Sequence, residues 1–156
     1  MQLESNIGFL LTHLAFVLGR QNDQILQEQL GLGFSQFKLM MVLQVKPHIK
    51  QKQIADALGQ TEASISRQIK LLQQKGLLQS EIRAGNRRQH ITTLTSKGLR
   101  FTEEARKILK ASHQAMFAQL SPKQLEQLAD SLKTMHAHSC PGKADSYLQF
   151  VNDQVN

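Results

Sequence analysis

The residues best suited to chemistry in this 156-residue chain are cations: Arg67 and Lys70, three positions apart, and Arg83, Arg87 and Arg88 around a Gly85-Asn86 pair. A guanidinium presents a planar fork of donors that fits a phosphate or a guanine edge bidentately, whereas an ammonium binds phosphate as a point charge. These side chains sit in a wider basic stretch. From Lys46 to Arg88 there are nine Lys/Arg and three acids (Asp56, Glu62, Glu81), so this segment carries +6 of the formal +7. Charge concentrated on one segment is the footprint of a face for an anionic polymer. Charge alone does not separate DNA from RNA or an anionic membrane, and a solvated basic surface without a partner is the plain alternative.

The elements that would aim these cations can be read in the same stretch. Gln51 to Leu58 is a short amphipathic helix burying Ile54, Ala55 and Leu58, followed by a tight turn at Leu58-Gly59-Gln60. Thr61 is an N-cap for a second helix from Glu62 to about Lys75, and Glu62 suits its positive end. With Ile65 facing inward, Ile69 and Leu72 share its side, while Ala63, Ser64, Arg67 and Lys70 are read on the opposite one. That outward set is small at the leading end, cationic behind it, and free of acid, which is what a helix entering a major groove needs. Leu77 to Ile82 and His90 to Leu94 read as two strands with Ile91 inward, and Gly85-Asn86 tolerates the positive φ of a hairpin turn. Three arginines on the projecting tip fit the narrow minor groove beside a major-groove site.

Helix, turn, helix, strand, loop, strand is the order of a winged helix-turn-helix. The expected fold class is mainly α with a small β wing, flanked by N- and C-terminal dimerisation helices. Asn6 to about Leu30 has a broad apolar stripe, with Ser5 as N-cap and Gly31 as stop. Phe34 to Val45 is a further helix, ended by Lys46-Pro47 because the residue before proline is pushed out of helical geometry. His48-Ile49-Lys50 reads as a short strand, and Lys50 is a poor cap for the helix that follows, since it cannot accept a hydrogen bond. Long helices are expected over Leu99–Leu120 and Lys123–His136, the latter introduced by Ser121 as cap and Pro122 at its first position. Their apolar content exceeds what the central module needs. The division is therefore residues 1–30 for dimerisation, 31–95 for DNA binding, 96–138 for dimerisation, and 139–156 as a tail; packing of the terminal helices on the module alone is the competing reading.

Other functions find less support. No run of about 18 apolar residues exists to cross a membrane, and the N-terminal stretch begins with Glu4 rather than a basic region, against a signal peptide. A single cysteine, Cys140, requires no oxidising compartment, so a cytoplasmic protein is the default. His136-x-His138-x-Cys140 is too compact for a zinc pattern, and residues two apart on a helix do not share a face, so no metal is expected. His13 and His113 are read as packing or surface residues. No phosphate-cradling glycine loop or nucleophile motif appears, so neither an enzyme nor a cofactor is expected.

In this order and spacing the motifs resemble the MarR family of transcriptional regulators. The resemblance rests on Gly31-Leu32 with Gln36-Phe37, on Ile54-Ala55-x-x-Leu58-Gly59, and on Ser66-Arg67, Leu72 and Gly76-Leu77-Leu78. It continues through Asn86-Arg87-Arg88 and Leu94-Thr95-x-x-Gly98. It implies a homodimer whose terminal helices hold two winged domains over a pseudo-palindromic double-stranded operator, the recognition helices roughly 34 Å apart. It further implies a repressor released by a small ligand or a stress signal. The candidate contacts are Lys52, Thr61, Ser64, Ser66, Arg67 and Lys70, with Arg83, Asn86, Arg87 and Arg88 on the wing. Two positions depart from the family pattern: Asn86 stands where an acid usually orients the wing arginine, and Gly33 where a Thr cap is common. The alternative function is a winged-helix module that binds a protein or RNA without operator specificity.

Overall fold

Caps decide where most of the helices begin. In the computed structural model, which describes residues 2–82, 85 and 90–139, the order is α1 (Gln2–Leu30), α2 (Phe34–Val45), α3 (Gln51–Leu58), α4 (Glu62–Gln74), β1 (Leu78–Ile82), β2 (His90–Leu94), α5 (Ser96–Phe117) and α6 (Pro122–Ser139). Thr61 Oγ1 accepts from the Ser64 N–H at 3.1 Å, and Thr95 Oγ1 from the Gly98 N–H at 3.0 Å. Ser121 and Gln124 bond reciprocally, which starts α6. The weak start of α3 has its remedy three residues on: Gln53 Oε1 accepts from the Lys50 N–H at 3.2 Å, satisfying one orphan donor. Gln36 does the same for Gly33 at 2.7 Å, and Asp23 of α1 accepts from the Phe34 N–H at 2.9 Å.

Several boundaries move from the sequence reading. The first helix begins at Gln2, so Ser5 lies inside it. The fifth begins at Ser96, three residues early, because Thr95 is the better cap. Among the described residues His48-Ile49-Lys50 forms no strand; His48 turns the chain instead with φ 72°. On the hairpin, Leu78 pairs with Leu94 and Ser80 with Thr92 in antiparallel register. Side chains alternate along a strand, so this register turns Thr92, not Ile91, to the inner face. The Thr92 hydroxyl lies 3.3 Å from that of Ser80, which also accepts from the Gln73 amide of α4.

Two apolar clusters hold the elements. The larger joins Leu39, Met40 and Leu43 of α2, Ile54 and Ala55 of α3, Ile65, Ile69 and Leu72 of α4, and Leu77-Leu78 entering the wing. Each fully buried Leu, Ile or Met there contributes about 1.5–3 kcal/mol of burial. The smaller joins Leu26 of α1 to Phe37 and Met41 of α2 and to Ala105 and Leu109 of α5. Two glycines are required by geometry. Gly59, at φ 63°, turns the chain from α3 into α4. At Gly98 a Cβ would stand 2.1 Å from the Leu77 carbonyl oxygen, so only glycine lets α5 pass this close to the wing.

Candidate nucleic-acid interface

The face of α4 opposite Ile65, Ile69 and Leu72 is the candidate interface. Ala63, Arg67 and Lys70 are all exposed on it, and Lys52 is exposed on the neighbouring α3. Among the described residues none of these three cations is held in an ion pair or hydrogen bond. Glu62 stands at the positive N-terminal end of the helix, beside rather than within the cationic face. The larger core fixes the inward face, so rotation of α4 about its axis would have to expose buried Ile and Leu.

The remaining predicted residues of α4 divide. Thr61 is exposed, and its hydroxyl oxygen caps the helix. Ser66 is half-buried on one flank. Ser64, read from the sequence as outward, lies half-buried on the other flank, since one residue is about 100° around a helix from its neighbour. Its hydroxyl donates to Gln60 Oε1 at 3.2 Å and accepts from Gln68 Nε2 at 3.2 Å. Arg83, Asn86, Arg87 and Arg88 lie outside the described residues, as does Cys140.

Sequence reasoning missed the polar cluster to which Ser64 belongs. Gln60 Nε2 donates to Ser35 Oγ at 2.7 Å, Ser35 Oγ donates to Gln68 Oε1 at 3.2 Å, and Gln68 Nε2 donates to Gln60 Oε1 at 2.6 Å. The three side chains close a ring between the first turn of α2, the turn before α4, and α4 itself. The only signal for it was the polarity of residues flanking a buried helix. A second missed contact joins α1 to α5: His113 Nε2 lies 2.7 Å from Oδ1 of the buried Asn22. Burial holds the His113 imidazole below the usual histidine pKa.

A three-helix core carrying a helix-turn-helix and a two-stranded wing defines the winged helix-turn-helix class. Residues 30–89 match the family described as MarR family. The chain is similar to the structure of MepR, a transcription regulator of the Staphylococcus aureus multidrug efflux pump MepA, at 25% identity and TM-score 0.66, covering 84% of this chain and 96% of that one. It is similar to the S. aureus MepR–DNA complex at 24% identity and TM-score 0.68, covering 85% and 96%. A MarR family transcriptional regulator from Streptomyces coelicolor, in complex with DNA, shares the fold at 22% identity and TM-score 0.73, covering 93% and 92%. No protein of curated function matches the sequence. The MarR family match is carried by residues 30–89, and the similar solved structures extend the likeness of fold over most of the chain.

Proposed function

We propose that this DNA-binding regulator works as a homodimer that reads a pseudo-palindromic operator and represses the gene it covers. The observation that carries the reading is the exposed, acid-free face of Ala63, Arg67 and Lys70 on a helix whose opposite face is locked in core. Two of the similar structures are held in complexes with DNA. In this reading Arg67 reaches base edges, Lys70 and Lys52 take phosphates, and Ala63 lets the helix backbone come close. Thr61, Ser64 and Ser66 shape the leading end of α4. Arg83, Asn86, Arg87 and Arg88 serve the flanking minor groove.

Dimerisation explains apolar surface that one subunit leaves open. Ile7, Leu10 and Leu14 of α1 and Leu128, Leu132 and Met135 of α6 are all at least 40% exposed. Release is assigned to a small ligand in the cleft between α1 and α2, about 580 Å³ in volume, where Phe16, Arg20, Phe34 and Lys38 offer rings and cations together.

The test is a gel shift with duplexes enriched by the protein from a random library. Arg67→Ala should lose roughly 1–3 kcal/mol on the enriched duplex and relax its specificity. Six or more phosphate contacts per dimer give a log–log salt slope of about −5 or steeper. Failure to enrich any sequence, with a shallow slope, sinks the operator reading and leaves a protein- or RNA-binding module.

A further inference from the structure

Gln60, Ser35 and Gln68 donate to one another around a closed circuit, each passing a hydrogen to the next. Chains of hydrogen bonds that run in one direction polarise each other, and a closed circuit leaves none of its links unsupported. Both amide hydrogens of Gln68 are in use, one to Gln60 and one to Ser64, and the single hydroxyl hydrogen of Ser64 goes to Gln60. The circuit thus takes up the hydrogen-bonding groups on one flank of α4 and ties them to α2 through Ser35. All four residues are half-buried, and the flank they occupy is 60–100° around the helix from the inward Ile65. The apolar side of α4 fixes which face turns out. Apolar contacts are non-directional, however, and do not set fine tilt or slide. Directional bonds do.

We propose that the Ser35–Gln60–Gln68 circuit is a positioning device for sequence discrimination: it sets the pose of α4 on α2, so that Arg67 meets a base edge in the right register, while no atom of Ser35 touches DNA. This rests on the operator reading given above. Base readout depends on geometry held within fractions of an ångström, whereas phosphate attraction is forgiving of small shifts. Loosening the circuit should therefore lower discrimination and spare general DNA affinity, which a merely structural loss would not do.

The experiment compares wild type, Ser35→Ala and Ser35→Thr by fluorescence anisotropy on two duplexes: the one enriched by wild type from a random library, and a scrambled sequence of equal composition. Ser35→Ala opens the circuit at one link and is expected to lower the ratio of the two affinities by about tenfold, the scale of one or two net hydrogen bonds. Affinity for the scrambled duplex should stay within about twofold, since the phosphate-binding cations are untouched. Ser35→Thr keeps the hydroxyl and should restore the ratio. Gln68→Met combined with Ser35→Ala should add little to either change alone, because both break the same circuit. An unchanged ratio in Ser35→Ala, or equal loss on both duplexes, overturns the proposal while leaving the operator reading intact. If Ser35→Ala fails to fold, Gln60→Met is read by the same ratio and decides in its place. A wild type that enriches no sequence overturns the operator reading, and this inference falls with it.

Discussion

The central module and the terminal helices treat their apolar residues in opposite ways. In the module, Leu39, Met40, Leu43, Ile54, Ile65 and Leu72 have essentially no exposed surface. At the ends, Phe9 is 76% and Leu10 66% exposed, and α6 buries no residue at all within the subunit. Both regions carry apolar residues at helical spacing in the sequence. The difference lies in who supplies the facing surface: the module closes on itself through α2, α3, α4 and the wing, whereas the ends present stripes without a cover. A region that buries its stripe internally has stability independent of concentration. A region that needs a second subunit does not.

Substitutions on the two sides sharpen that contrast. Leu72→Ala removes a fully buried side chain from the larger cluster and should cost about 2–5 kcal/mol, the same at every protein concentration, in urea unfolding followed by circular dichroism. Phe9→Asp should leave the module's own packing alone and act on assembly. On the homodimer reading, multi-angle light scattering should show two subunits for wild type and one for Phe9→Asp, and affinity for the enriched duplex should fall with it. A Phe9→Asp protein that stays dimeric would erase the distinction between the regions.

Next in size is the junction where the module meets α5. Gly98→Ala places a methyl group against the Leu77 carbonyl, which is backbone and cannot swing aside. The wing and the start of α5 must separate, at roughly 1–3 kcal/mol. The same junction carries the Thr95 hydroxyl donated to the Gly76 carbonyl at 2.7 Å and the Lys97 ammonium donated to the Lys75 carbonyl at 2.8 Å, so α5 grips the end of α4. Gly98→Ala should accordingly weaken DNA binding as well as lower the melting temperature. Unchanged melting would show that α5 is free to shift at this point.

What the sequence disclosed follows from range. The spans of α2, α3 and β2, and the inward set Ile65, Ile69 and Leu72, depend on periodicity and caps within one or two turns, and these were legible. The starts of α1 and α5 were not: Ser5 is a cap by type yet lies inside α1, and α5 takes its cap from Thr95, four residues before Leu99. Ile91 looked like the inward residue of β2 because it is apolar. The inner face went to Thr92 because the register is fixed by Leu78 and Leu94 meeting in the core, and Ser80 satisfies the threonine hydroxyl. On the candidate interface, the exposed cations Lys52, Arg67 and Lys70 are legible by residue type. The ring of Ser35, Gln60 and Gln68 did not, since its members are up to 33 positions apart and each is an ordinary surface residue when read alone.

The smallest expected effect tests whether α1 belongs with the module or with the open ends. Its C-terminal half is pinned to α5 by Leu26 in the smaller cluster and by Asn22 facing His113 at 2.7 Å. Burial favours the neutral imidazole, so the folded protein takes up a proton on His113 at lower pH than the unfolded chain does. Above the ordinary histidine value of about 6.5 both states are neutral there, and the contribution is fully present. As pH falls below that value, the unfolded chain binds the proton first and stability is lost, until the folded-state group also titrates. Wild type should therefore lose more melting temperature between pH 7.5 and pH 5.5 than His113→Gln, whose amide can still donate to Asn22 but does not titrate. Equal losses in the two proteins would mean that this end of α1 is not fixed against α5 by the buried pair, and that it should be grouped with the uncovered helices after all.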